Sequence, residues 1–347
     1  MKDFFGTLPP NRLSSAGETC CDISDGPLPP PTRSLRIKSG TFYSEYHSHK
    51  IKHLQTLKAA LSKQGCDSFI YLCGDSSLDN KHWFFNSQRS KTSQMNQSSF
   101  TAPAINGYED VLHTPSRMVK DVCYHMNNLA AQRFGRGHVC TIMSSIEEST
   151  IEDRFTAKSG LLIQDRFIAD NITINDRLIV SVGGNDIALS PTIRTVVNMA
   201  MLTRSPEWMI RCGVAPGFGY FVNLFQVRIE EMIVRILSGK GQCPTEIIIC
   251  MLYYPDVVSG GSWADQTLRL LGYDENPVKL QLIIKKLFES IQKRGFLKLT
   301  KMGAVVSLMP LFEVLTEHED YVQRVEPSVK GGEKMAEAFL TTLFGEE

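Results

Sequence analysis

Five short, almost unbroken apolar runs punctuate this chain, at Ser68–Cys73, His138–Met143, Asp176–Val182, Thr245–Leu252 and Ala304–Met309. A strand that is apolar along its whole length needs cover on both faces, which a parallel sheet between two helical layers provides. The intervening stretches read as helices. His53, Leu54, Leu57, Ala60 and Leu61 recur at helical spacing before the first run. Ser116 can cap a helix from Arg117 to about Arg133, and Pro191 can open another at its first helical position. Further helices are expected at Phe218–Leu237, Pro277–Gln292 and Val329–Phe344. The alternation predicts one three-layer α/β/α domain around a central, mainly parallel five-stranded sheet. Ligands of such sheets bind beyond the carboxyl ends of the strands.

Residues 1–45 are rich in Pro, Ser and Gly, including Pro29-Pro30-Pro31, and read as a disordered tail. The α/β domain is then expected over 46–347, with a long polar insertion at 84–108 whose end, Asn106-Gly107-Tyr108, suits a lid. Hydrophobic residues make up 42% of the 347, enough for a sizeable core. Lys+Arg and Asp+Glu each number 37, so no net field argues for nucleic acid. The nine cysteines form no CxxC pair and give no support for a zinc site. No apolar run approaches the length needed to cross a bilayer, and the first residues lack the order of a signal peptide. A soluble, cytoplasmic protein is the expectation.

Two strand-end turns carry the chemistry. The first apolar run ends in Gly74-Asp75-Ser76-Ser77-Leu78-Asp79, and the third in Gly183-Gly184-Asn185-Asp186. A serine on a strand-to-helix turn exposes its hydroxyl, and the N–H groups of the following helix point at the same spot. An asparagine amide can donate to a developing oxyanion, and the preceding glycines let backbone approach a substrate closely. Each turn alone is also ordinary loop chemistry. Together, at neighbouring strand ends, they describe a site.

This pairing resembles the SGNH, or GDSL-type, hydrolases. The resemblance spans about residues 68–345 and implies a flavodoxin-like SGNH-hydrolase fold acting on acyl esters. Ser76 is then the nucleophile, and Asn185 with Gly184 belongs to the oxyanion site. The substrate is a small-molecule acyl ester or an acylated glycan or lipid, with no metal or cofactor. The family's remaining oxyanion donor is a glycine N–H after the second strand; here Glu148 occupies that place, in a segment without glycine. Asp79 and Asp256 are candidates to line the pocket.

The base is the point of departure. Where the family carries Asp-x-x-His, this chain reads Gln323-Arg324-Val325-Glu326, followed by Pro327-Ser328 and Gly331-Gly332. Glu326, with its pKa raised by burial, can take the serine proton. His318, partnered by Asp320 or Glu319, is an alternative base. In a third reading Glu326 only caps the last helix, and the protein is a catalytically inactive module that binds an acylated or glycan ligand. A flavodoxin-like nucleotide binder is disfavoured, because Gly-Asp-Ser-Ser-Leu-Asp is too acidic to cradle phosphate.

Overall fold

The computed structural model describes residues 36–84, 99–158, 160–239 and 243–346. The five apolar runs form one parallel sheet: β1 Ser68–Gly74, β2 Val139–Met143, β3 Arg177–Ser181, β4 Glu246–Met251 and β5 Val305–Pro310. Their order is β2-β1-β3-β4-β5, with Leu72 beside Met143 on one side and Ile179 on the other. Phe69 to Gly74 are all buried although successive side chains point to opposite faces, so both faces of β1 are covered. Helices Val122–Phe134 and Val329–Phe344 pack together as one helical group. Helices Ile51–Lys63, Ile163–Asn171 and Ile229–Leu237 form another. The α/β fold and the five-stranded parallel sheet therefore follow the expected pattern.

After β1 the chain steps to β2 on one side and then crosses to β3 on the other. The carboxyl ends of β1 and β3 thus flank the switch point where doubly wound sheets bind ligands. The two strands approach so closely here that a Cβ on Gly74 would lie 2.0 Å from the Ser181 carbonyl oxygen, which only glycine avoids.

Several local expectations are corrected. Regular structure begins within the segment assigned to the tail: Ile37–Lys38 pair with Leu112–His113, and Phe42 and Tyr43 are buried. Residues 1–35, with Cys20-Cys21, and 85–98 of the insertion lie outside the described residues. Ser116 caps nothing; Arg117–Val119 form a short strand against Thr101–Pro103, and Asp121 caps the helix Val122–Phe134 by accepting from the Tyr124 N–H. Thr192, not Pro191, adjoins the start of helix Ile193–Arg204 and accepts from the Thr195 N–H. The long helix contains a π-type segment, Asn223–Arg228, between Phe218–Val222 and Ile229–Leu237. Asn106-Gly107-Tyr108 is no lid: Asn106 donates to the Val139 carbonyl and Tyr108 to the Thr141 carbonyl, both within the core.

Candidate active site

The two strand-end turns meet. Asp75 N–H donates to the Ser181 carbonyl, and the Asp75 carboxylate accepts from the Ser77 N–H and hydroxyl at 3.0 and 2.7 Å. The Ser77 hydroxyl also contacts that of Ser181. This ties the β1 turn to β3 and leaves Ser76 facing an apolar cavity. Burial pushes the Asp75 carboxyl upward, opposed by the two Ser77 donors.

A buried arginine organises the floor. Arg154 donates to the Gly74 carbonyl at 2.8 Å and to the Ser149 hydroxyl at 2.9 Å, and pairs with Asp165 at 3.2 Å. Ser149 in turn offers its carbonyl to the Asn185 amide at 3.1 Å. Asn185 is thereby oriented with one of its two amide hydrogens used. Asp186 caps the helix Ile151–Thr156 from outside, accepting from the Ile151 N–H, and burial lifts its carboxyl to about 6. Gly183 stands at φ +113°, and a Cβ there would meet the Phe225 ring at 2.7 Å. The π segment therefore packs directly against this turn.

The residue in the family's histidine position reaches the serine. The Ser76 hydroxyl donates to Glu326 Oε1 at 3.3 Å, long for such a bond, and Glu326 is 2% exposed. Burial first, then the negative charge of Asp75, pushes the Glu326 carboxyl well above the usual range; the Ser76 hydroxyl and Trp263 indole oppose this. Glu326 does not cap the last helix, since Ser328 does so by accepting from the Gly331 N–H. Nor does Gln323 support it: the Gln323 amide oxygen accepts from the backbone N–H of Trp263. Asn80 instead holds the loop, donating to the Pro327 carbonyl at 2.5 Å.

The cavity has a volume of about 130 Å³. Ser76, Gly184, Asn185 and Glu326 line its polar end, while Phe221, Phe225, Leu268, Ile283 and Leu287 are among its apolar walls. Among the described residues, the other candidates stand apart from this lining. Asp79 is fully buried, pairs with Lys81 at 2.6 Å and accepts from the Ser48 N–H. Asp256 accepts from the Val258 N–H and contacts His318. His318 is largely exposed and joins Asp256 rather than Asp320 or Glu319. Asp320 is bound to Lys334 and to the N–H groups of Thr316 and Glu317.

Glu148 adopts φ +62°, the left-handed region that favours glycine, so the turn keeps a glycine's backbone while carrying a carboxylate. Its side chain is exposed and accepts from the Tyr46 hydroxyl at 2.8 Å. Its neighbour is the residue that motif reading passes over. Glu147 is 1% exposed, and burial followed by the proximity of Glu326 lifts its carboxyl to about 10. An alignment to one position selects Glu148, yet the adjacent carboxylate is the one turned inward.

No family model matches the chain, and no curated protein matches it either. Solved structures do. An acetyl xylan esterase variant from Geobacillus stearothermophilus is 14% identical with a TM-score of 0.40, over 81% of this chain and 97% of that one. A protein assigned as a GDSL-like lipase from Parabacteroides merdae is 13% identical, TM-score 0.40, over 81% and 97%. Phospholipase A1 from Streptomyces albidoflavus is 12% identical, TM-score 0.36, over 79% and 98%. The chain's own residues carry the resemblance to the SGNH, or GDSL-type, hydrolases: Gly74-Asp75-Ser76 and Gly183-Gly184-Asn185-Asp186 lie side by side at the switch point of a five-stranded parallel sheet, while Gln323 and Glu326 stand where that family carries its Asp-x-x-His pair.

Proposed function

We propose that the protein hydrolyses an acyl ester through Ser76. The observation that supports this reading is the Ser76–Glu326 hydrogen bond at the polar end of a cavity whose other walls are mainly apolar. The acyl chain occupies those walls, and the ester carbonyl sits above Ser76. Ser76 Oγ attacks the carbonyl carbon while its proton passes to Glu326 Oε1. The oxyanion accepts from the second amide hydrogen of Asn185, the Ser76 N–H and an N–H of the 144–148 turn. Two N–H groups of that turn are already committed, Ser144 to the Leu72 carbonyl and Ile146 to that of Gly74. Glu148, in its left-handed conformation, is the turn residue that best matches the family's glycine donor. Glu326 then returns the proton to the departing alcohol, and water attacks the acyl-enzyme by the same route to release the carboxylic acid.

A base must be ionised to act. Because burial and the negative charge of Asp75 push the Glu326 carboxyl well above the usual carboxylate range, activity rises with pH above that range. The same observation supports a second reading, in which Glu326 stays protonated and the cleft binds an acylated ligand without turnover. Fluorophosphonate labelling separates the two: wild type is labelled at Ser76 on the alkaline side and Ser76→Ala is not, with the site located by mass spectrometry. A wild type that stays unlabelled up to the alkaline limit of folding rejects the esterase reading and leaves the binding module.

A further inference from the structure

The helix Ile193–Arg204 has two apolar faces. Its inner face sends Met199 and Leu202 into the cavity lining. Its outer face exposes Ile193, Val197 and Met201, at 86%, 50% and 41%. These are four residues apart, so they form a single stripe along the helix. The next helix, Glu207–Cys212, adds Trp208 at 62% exposure, and Val214 follows it. Arg194, Arg204 and Arg211 are exposed alongside, against Glu207 alone. Three arginines and one glutamate give this surface a net charge of +2, on a chain whose net charge is zero.

We propose that this helical pair docks on a lipid surface carrying anionic headgroups. An apolar stripe beside arginines, with an exposed tryptophan, is the composition of a helix that lies in the plane of a bilayer interface. Charge argues against a second copy of the chain, because a two-fold interface would place like charges against each other. Position argues for lipid: the helix that carries the stripe also forms a wall of the apolar cavity. Exposed Val257, Leu270 and Val278 lie on segments that contribute further walls, through Pro255, Leu268 and Leu280. Docking places acyl chains about one helix diameter, roughly 10 Å, from the cavity. That the docked lipid supplies the substrate rests on the esterase reading; docking itself does not.

The test is co-sedimentation of the full chain with vesicles of phosphatidylcholine containing about a third phosphatidylglycerol. The Ser76→Ala variant is used alongside wild type, so that binding is read without turnover. Both bind, and the emission of Trp208, isolated by comparison with Trp208→Phe, shifts to the blue. The double variant Val197→Asp/Met201→Asp binds at least about tenfold more weakly, and Arg194→Glu/Arg204→Glu loses about tenfold in a salt-sensitive manner. Neither pair alters hydrolysis of a soluble short-chain ester. Vesicle binding with no hydrolysis in any variant rejects the esterase reading and leaves docking intact. Absence of sedimentation, sedimentation indifferent to both double variants, or a dimer in light scattering that Val197→Asp/Met201→Asp dissociates would each overturn the proposal.

Discussion

The two halves of the candidate site are held in different ways. The turns at 74–77 and 183–186 are extensions of paired central strands, and their positions are set by sheet hydrogen bonds and the Arg154 network. The segment 323–327 has little pairing of its own beyond Tyr321–Val322 with Glu326–Pro327. It is suspended by side chains from elsewhere: Asn80 on the Pro327 carbonyl, Ser262 on that of Gln323, and Tyr253 on that of Val325. The half that carries Ser76 and Asn185 is thus part of the core, whereas the half that carries Glu326 is assembled by tertiary contacts. A change in the first half disturbs folding and chemistry together; a change in the second half can alter chemistry with the sheet intact.

The largest effect is expected on the core half. Arg154→Met leaves Asp165 buried without its partner and frees the Gly74 and Ser149 groups, costing about 3–5 kcal/mol in denaturant unfolding. A loss below about 1 kcal/mol would remove Arg154 as the organiser of that half. Asn185→Ala removes one oxyanion donor, so kcat falls by about 10²–10³, or about 2.7–4 kcal/mol of barrier. If kcat changes less than KM, Asn185 acts in binding instead.

Glu147→Gln sharpens the comparison through pH. The Glu147 carboxyl is lifted to about 10 in the folded protein, while the unfolded chain ionises it in the ordinary range. A raised carboxyl pKa means that stability is full at acid pH and declines as pH rises toward the folded value. The glutamine variant lacks that decline and gains roughly 2 kcal/mol at neutral pH, read from unfolding at two pH values. Parallel pH curves for variant and wild type would contradict this. Asn80→Ala, the smallest, loses the Pro327 bond for about 1 kcal/mol of stability but slows the reaction more than that bond's contribution to folding suggests. Equal losses of stability and rate would make Asn80 merely structural.

The strand ends were legible because fully apolar runs report double cover, and the glycines of 74 and 183 mark the close approaches that a site at the switch point requires. The helix boundaries at 117–133 were not. Arg117–Val119 pairs with Thr101–Pro103, a strand inside the expected insertion and a partner no local pattern announces. Asp79, Asp256 and His318 were reasonable candidates from proximity in sequence, yet Lys81 claims the first and the other two meet each other. The electrostatic coupling of Glu147 to Glu326 was not legible because carboxylates 179 residues apart come near each other only in the folded chain. The identity of Glu326 as the serine's neighbour was visible in the frame Glu-Pro-Ser, since that segment leads directly into a capped helix.

The central claim is that Glu326 takes the proton of Ser76. It is tested most directly by the rate of fluorophosphonate labelling at Ser76 from neutral to alkaline pH, in wild type and Glu326→Gln. The account predicts a wild-type rate that climbs with pH as the buried carboxyl ionises, and a variant rate that is low and nearly flat. A Glu326→Gln protein labelled as fast as wild type, with the same rise, would contradict it and assign the proton to another group.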